Sequence, residues 1–186
     1  MTPIYETQNF IVEAVDKPHV SREEGGHIKI TPKVRVINRQ ELSPKQAIEL
    51  MRLTIIVGQA MTTIMKKRGV DIGRINYQDN GNWSVFSSEG PYLHIHLYGR
   101  AKNAKIQKYG EALSLPLRET GFYENFKPLN EEDIKEIRKS IISILKKPKY
   151  KPRFSIFIVL LSSISSSLLN MPEKILSFSF PDFSKR

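Results

Sequence analysis

The chain has 186 residues, no cysteine and a formal net charge of +10. This length suits one domain with a sizeable core. The lack of cysteine excludes disulfides, a thiolate nucleophile and a zinc site built on sulfur. The excess of positive charge favours anionic partners. The amino terminus shows no basic segment followed by an apolar one, so we predict no secretory signal and expect a cytoplasmic protein.

The first forty residues carry the alternating pattern that is typical of β-strands. Residues 8–15 alternate well enough to form one strand. A polar turn with Gly25 and Gly26 follows, and residues 27–37 then predict one or two further strands. The early part of the chain is therefore predicted to be β-sheet.

A long helix is predicted to follow Ser43. Ser43 suits the cap, Pro44 suits the first helical position, and Gln46 completes a capping box. Lys66 to Arg68 favour the carboxyl end, and Gly69 ends the helix. Apolar residues recur at three- and four-residue spacing, which assigns these to the core: Ala47, Leu50, Met51, Ile55, Met61 and Met65.

Strands are predicted again in the middle of the chain. Residues 71–78 favour a strand, residues 79–82 a tight turn, and residues 83–86 either a hairpin partner or a loop. This segment leads to a strand at residues 91–100. Residues 101–128 lack a clear period, which predicts an extended excursion over the surface.

A second helix is predicted after Asn130. Asn130 suits the cap, acidic residues 131–133 favour the first turn, and Leu129 is placed to contact Ile134. One face carries Ile137, Ile141, Ile144 and Leu145. With the strands, the two helices predict an α+β fold: an antiparallel meander with a long helix and a carboxy-terminal helix.

The composition changes after residue 145. We predict a domain at residues 1–145 and a basic linker at residues 146–153, which contains five positive charges. A solvated basic linker is favoured over a nucleic-acid site, because base stacking needs several aromatic residues and Tyr150 is the only one in this segment. No specific nucleic-acid partner is expected.

An apolar, serine-rich tail is predicted at residues 154–186. Residues 154–172 carry no charge but contain six serines, and they fall short of the roughly 20 strongly apolar residues of a spanning helix. We therefore favour a poorly ordered or loosely docked tail, and membrane contact through residues 154–169 is not expected. The abrupt change of composition also fits an altered reading frame.

Two of the four histidines lie one residue apart in the segment PYLHIHLYGR. Alternate residues of a strand share a face, so His94 and His96 point the same way as Tyr92 and Tyr98. Imidazole can donate or accept a hydrogen bond, titrate near neutral pH or bind a metal. The pair therefore predicts a functional face, and the competing interpretation is that both rings are buried in the core or exposed at an edge.

Several short segments, taken in order, resemble the histidine triad superfamily of nucleotide hydrolases and transferases. They are NFIVEA, GHIKITPK, ELSPKQAIEL, RINYQDNG and LHIHLYGR, and the resemblance spans roughly residues 8 to 110. It implies a histidine triad-like fold, a nucleotide as substrate or ligand, and a homodimer. It calls for no cofactor and no bound metal.

The family signature is His-x-His-x-His, and this chain departs from it in one of two registers. In the preferred register Arg100 lies four residues after the last histidine, as the family often has it. His94 is then the middle member, His96 the third, and Tyr92 replaces the first. In the other register His96 is the middle member and Tyr98 replaces the third.

The resemblance implies a nucleophilic histidine. A neutral imidazole attacks the α-phosphorus, and water or another acceptor resolves the nucleotidyl-histidine. Its other ring nitrogen must be an N–H held by a neighbouring carbonyl. We predict His94 in this role. The family's glutamine, four residues before the first histidine, is Ser88 or Gly90 here. The predicted phosphate or leaving-group contacts are His96, Ser88, Tyr92 and Arg100.

The resemblance also places other residues near the nucleotide, namely Asn76, the turn at residues 79–81, His27 and Lys33. Each of these has a purely structural interpretation as a turn, core or solvated residue. Gly99 is predicted to end the histidine strand, which would let Arg100 fold back toward the histidines. On that reasoning, replacing Arg100 weakens nucleotide binding and leaves stability nearly unchanged, since a surface arginine contributes little to folding.

Three functions stay open at this point. The first is a nucleotide phosphohydrolase or nucleotidyl transferase that acts on dinucleoside polyphosphates or nucleoside conjugates. The second is a nucleotide-binding module without turnover, because one histidine and the glutamine are missing. The third makes His94 and His96 zinc ligands, with His27 or a distant carboxylate completing the set.

Overall fold

A computed structural model of the chain describes residues 1–79 and 84–150. The predicted serine-rich tail, the last three residues of the predicted linker and residues 80–82 of the predicted turn lie outside the described residues. Five strands and two α-helices are present in the described part: β1 (Thr2–Glu6), β2 (Phe10–Ala14), β3 (His27–Pro32), α1 (Pro44–Lys67), β4 (Ile72–Asp79), β5 (Ile95–Ala101) and α2 (Glu131–Leu145).

The strands form one antiparallel sheet in the order β1-β2-β3-β5-β4. Strands β1, β2 and β3 form an antiparallel meander. Strand β5 pairs with β3, and β4 pairs with the other side of β5, so β5 lies between β3 and β4. The strand that contains His96 is therefore interior to the sheet, between β3 and β4. It begins at Ile95 and not at residue 91 as predicted, so His94 lies just before it. The α+β prediction is confirmed.

One strand was missed, and the structure decides between two pairs of alternatives. Strand β1 was not predicted, because its five residues include Pro3 and offer only a short alternation, yet Ile4 is fully buried in the core. Residues 33–37 form no strand, and Arg35 there instead bonds the carbonyl groups of residues 89–91. Residues 84–86 form a short helical turn, which agrees with the predicted loop and not with a hairpin partner, and residue 83 of that segment lies outside the described residues.

The helix α1 packs on one face of the sheet. Its predicted capping box is confirmed, since the Ser43 hydroxyl accepts from the Gln46 amide and the Gln46 side chain accepts from the Ser43 amide. Met51 and Ile55, predicted as core residues, are 61% and 46% exposed. Ala47 is also exposed. The buried stripe keeps the predicted Leu50, Met61 and Met65 but otherwise runs through other positions, namely Leu53, Ile56, Val57, Ala60 and Ile64.

The helix α2 is tied to α1 by a buried carboxylate. Asn130 caps the helix as predicted, and its side chain accepts a hydrogen bond from the Asp133 amide. Asp133 is fully buried and accepts hydrogen bonds from Arg22 and Arg68. Burial opposes the ionised form, but the hydrogen bonds from Arg22 and Asn130 outweigh it and lower the pKa of Asp133 below its usual value.

A close approach of two backbones explains one glycine pair. A side chain at Gly99 would lie 2.3 Å from the Gly25 carbonyl oxygen, and Gly25 itself has φ of +130°. The strand β5 continues through Gly99 to Ala101, so the prediction that Gly99 ends the strand was wrong. The glycine is needed for contact with a neighbouring chain segment and not for a turn.

One helix of the described residues, α1, is long and apolar enough to cross a membrane by length and composition alone. More than half of its apolar window is buried within the fold, and the core helix of a soluble protein passes the same test. This feature is therefore weak evidence for a membrane span.

Candidate functional site

The face of the sheet that α1 leaves free is polar. On β3, β4 and β5, alternate residues point away from the helix and the residues between them enter the core. Lys29 and Gln78 lie opposite His96 from its two sides, while His27 and Asn76 lie opposite Tyr98. We call this set the polar face, and it consists of His27, Lys29, Asn76, Gln78, His96 and Tyr98.

All four histidines of the chain meet on this face. The ring centroids of His94 and His96 are 4.7 Å apart, those of His27 and His96 are 4.9 Å apart, and those of His19 and His27 are 5.3 Å apart. His94 directly precedes β5, and His19 lies in the chain between β2 and β3. His19 was not predicted as a site residue, because its segment has no periodicity to orient it. The rarity of histidine in the chain was the one available signal.

A chain of hydrogen bonds assigns the tautomers of His27 and His96. The His19 amide donates to Nδ1 of His27 at 3.2 Å, so neutral His27 carries its proton on Nε2. That N–H donates to Nδ1 of His96 at 2.7 Å, so neutral His96 carries its proton on Nε2 as well. Burial lowers the pKa of His96 to about 3 and that of His27 well below its usual value, which keeps both rings neutral.

His94 has the opposite tautomer. Its Nδ1 lies 3.0 Å from the carbonyl oxygen of Tyr92, and since a carbonyl only accepts, Nδ1 carries the proton. Nε2 of the neutral ring is then a lone pair. Burial lowers the pKa of His94, and this hydrogen bond partly opposes the effect. The two adjacent imidazoles therefore differ at Nε2, where His94 has a lone pair and His96 has an N–H.

The long segment between β5 and α2 supports this network from outside. Arg118 donates to Nε2 of His19 at 3.0 Å, which leaves the His19 proton on Nδ1, 3.2 Å from the Tyr98 hydroxyl. Burial, followed by the charge of Arg118, lowers the pKa of His19 to about 4. The side-chain amide of Gln107 donates to the His19 carbonyl. The excursion predicted for residues 101–128 thus returns to the polar face.

Two cations flank the ring of Tyr92. The Lys29 ammonium lies 6.0 Å and the Arg35 guanidinium 5.1 Å from the ring centroid. The Tyr92 ring in turn lies 4.7 Å from that of His94. Lys29 was not predicted as a site residue, although its position two residues after His27 on a strand places both on one face. Positive charge is thereby brought next to Tyr92, which the preferred register of the sequence prediction puts in the place of the first signature histidine.

Arg100 is 3% exposed, so the prediction of a surface arginine was wrong. Its Nη2 donates to the carbonyl oxygens of Lys108 at 2.7 Å, Glu111 at 3.1 Å and Gln107 at 3.3 Å. The Glu24 carboxylate accepts from the backbone amides of residues 105–107 in the same loop. Arg100 therefore holds this loop, and its predicted contact with phosphate stays a prediction.

The other predicted site residues are spread over the fold. Asn76 lies half-buried on the polar face. Lys33 is exposed and forms an ion pair with Glu6 at 2.9 Å. Ser88 is exposed in a turn between residues 84 and 90, and the described residues include no hydrogen bond from its hydroxyl to a histidine. The geometry thus brings together His27, Tyr92, His94 and His96, with Asn76 nearby, and does not bring in Lys33 or Ser88.

Within residues 1–79 and 84–150, no three histidine or carboxylate side chains are arranged to hold a metal ion. A third ligand for the predicted His94–His96 metal pair is therefore not found in the described part.

The fold resembles that of solved histidine triad proteins. A histidine triad protein from Sinorhizobium meliloti 1021 matches with a TM-score of 0.52 at 16% identity, covering 76% of this chain and 87% of that one. A hypothetical histidine triad nucleotide-binding protein from Sulfolobus tokodaii strain 7 matches with a TM-score of 0.50 at 19% identity, covering 78% and 87%. No family model and no curated protein matches the sequence. The chain therefore has a histidine triad-like fold.

Proposed function

We propose that the chain is a cytoplasmic enzyme that binds nucleotides and acts at the α-phosphate of dinucleoside polyphosphates or nucleoside conjugates. The reaction is phosphohydrolysis or nucleotidyl transfer through a nucleotidyl-histidine. The observation that supports this proposal best is the pair of opposite tautomers, with a lone pair on Nε2 of His94 beside an N–H on Nε2 of His96.

In the proposed reaction, Nε2 of His94 attacks the α-phosphorus. A P–N bond forms, and the bond from phosphorus to the leaving group breaks with its electron pair. The ring then carries a positive charge, which the Tyr92 carbonyl stabilises through the Nδ1 proton. In the second step water attacks the phosphorus, and the P–N bond breaks with its electron pair returning to Nε2 of His94. The attacking water gives a proton to the solvent, and the imidazole is neutral again.

His96 is proposed to donate its Nε2 proton toward a phosphate oxygen or the departing group. His27 holds this tautomer by donating to Nδ1 of His96. Tyr92 and Asn76 remain proposed nucleotide contacts. The Tyr92 hydroxyl can donate one hydrogen bond but carries no charge at pH 7.

Mass spectrometry and product analysis test the proposal. Wild-type protein is incubated with diadenosine polyphosphates and adenosine phosphoramidate, and the reaction is quenched at neutral pH because a phosphorus–nitrogen bond is labile in acid. We expect release of AMP and a mass increase of one nucleotidyl group. His94→Ala should show neither result, while Lys139→Ala, a change on the exposed side of α2, should behave like wild type.

Two other results would change the conclusion. Equal turnover by wild type and His94→Ala would exclude His94 as the nucleophile. Nucleotide binding without turnover by wild type would favour the binding module, an alternative that Tyr92 in the place of the first histidine supports. Stoichiometric zinc in protein purified without added metal, lost in His94→Ala, would instead support the metal-binding alternative.

The proposed assembly is a homodimer through α1 and β4. Ile48, Met51 and Ile55 form an exposed apolar stripe on α1, beside the 47% exposed Tyr77 of β4. Met51, Ile55 and Tyr77 border a groove of about 380 Å³. Among the described strands β4 pairs only with β5, which leaves one edge open. A second copy fits both features, because a twofold axis pairs such an edge with itself and covers both stripes.

A further inference from the structure

A buried lysine lies on the polar face, across the strand pair from His96. Lys29 is 6% exposed and lies opposite His96 in the β3–β5 pair. Buried lysines are rare unless they are paired. The ion-pair partner of the Lys29 ammonium is Glu13, and the distance between the charged atoms is 4.0 Å, the outer limit for such a pair. The ammonium is therefore placed on the polar face with only a loose partner.

Lys29 lies near the position where this chain lacks the positive charge of a signature histidine. Tyr92 stands where the resemblance places the first histidine, and a phenol cannot become a cation. The Lys29 ammonium lies 6.0 Å from the centre of that ring. We infer that Lys29 supplies the positive charge of the phosphate site that Tyr92 cannot supply, and that it contacts the phosphate of the bound nucleotide. The inference rests on the proposed function.

The charge of Lys29 acts on both imidazoles of the proposed site. Burial is the main cause of the lowered pKa of His94 and of His96, and the Lys29 charge contributes to the lowering in each. A cation whose field reaches both rings also attracts an anion bound between them. It would further keep His94 neutral, which nucleophilic attack requires.

A structural role for Lys29 makes a different prediction. If the ammonium serves only its ion pair with Glu13, its loss changes stability and leaves ligand preference alone. If it contacts phosphate, its loss weakens the binding of nucleotides and spares nucleosides, which lack the phosphate. The comparison of a nucleotide with its nucleoside therefore separates the two roles.

Calorimetric titration provides the test. The ligands are AMP, GMP, CMP and UMP with the four matching nucleosides, and the variants are Lys29→Met and Lys29→Arg. For the nucleotide that binds wild type best, we expect Lys29→Met to lose about ten- to a hundredfold in affinity, as for a lost charge-assisted hydrogen bond. Affinity for the nucleoside should not change, and Lys29→Arg should keep most nucleotide affinity. The control is Lys139→Met, at an exposed lysine of α2 that forms an ion pair with Glu136 at 2.7 Å, and it should bind like wild type.

Each other outcome has a definite meaning. Equal nucleotide affinity of wild type and Lys29→Met would overturn the inference and leave the proposed function standing. Equal losses for nucleotide and nucleoside would show a change of pocket shape, which also overturns the inference alone. Failure of wild type to bind any of the nucleotides would overturn the proposed function together with the inference. If thermal unfolding shows that Lys29→Met does not fold, Lys29→Gln takes its place.

Discussion

Replacing Arg100 by methionine should destabilise the fold, although the sequence alone predicts almost no effect. Methionine keeps most of the apolar stem and removes the guanidinium. That group serves three carbonyl oxygens through Nη2, at distances from 2.7 to 3.3 Å. Since Nη2 has two hydrogens, the loss amounts to about two charge-assisted hydrogen bonds.

The expected loss follows from these contacts. Two such bonds are worth about 3 to 6 kcal/mol at most. Lys108 and Glu111 are exposed, so water replaces part of that value. The buried Nε of Arg100 has no hydrogen-bond partner among the described residues, and its removal returns about 1 kcal/mol. The free energy of unfolding should therefore fall by about 2 to 3 kcal/mol, or roughly 5 to 10 °C in Tm for a fold of this size.

Urea denaturation of wild type, Arg100→Met and Arg74→Met measures this loss. Arg74 is the exposed residue opposite Arg100 on β4 and is the matched control. Its replacement should change stability by less than about 0.5 kcal/mol. The reasoning is refuted if Arg100→Met is as stable as Arg74→Met. A drop in AMP affinity without any loss of stability would support the phosphate contact predicted from sequence in place of the structural role.

Two further predictions concern pH and assembly. Three histidines have lowered pKa values in the fold, namely His19, His27 and His96. As pH falls below about 6.5, these rings become protonated in the unfolded chain but stay neutral in the folded chain. Stability should then fall by about 1.4 kcal/mol per pH unit for each ring, down to about pH 4. Urea denaturation at several pH values should show this dependence of the unfolding free energy on pH. In His27→Gln the slope should be smaller by the contribution of one ring, about 1.4 kcal/mol per pH unit. An unchanged slope in that variant would contradict the assignment of His27. Met51→Glu should give a monomer in light scattering. Ile142→Glu changes an exposed site of α2 and should leave the dimer intact. A monomeric wild type would exclude the dimer.

Local signals in the sequence determined the two helices and the shared face of the histidines. The capping boxes at Ser43 and Asn130 each involve residues three positions apart, so they form wherever the helix forms. The two-residue period of a strand places His94 and His96 together without knowledge of the rest of the fold. The same period places Lys29 on the face of His27, so the local signal for this lysine was also present in the sequence.

The tertiary structure decided how these side chains act. The hydrogen bond that sets the His96 tautomer joins residues 69 positions apart, and the Arg118 contact with His19 joins residues 99 positions apart. Such contacts depend on the insertion of β5 between β3 and β4 and on the return of a loop without periodicity. Arg100 illustrates the limit most clearly, since its exposure depends on where that loop packs. A sequence pattern determines which residues share a face, and only the packing of distant segments determines what each residue meets there.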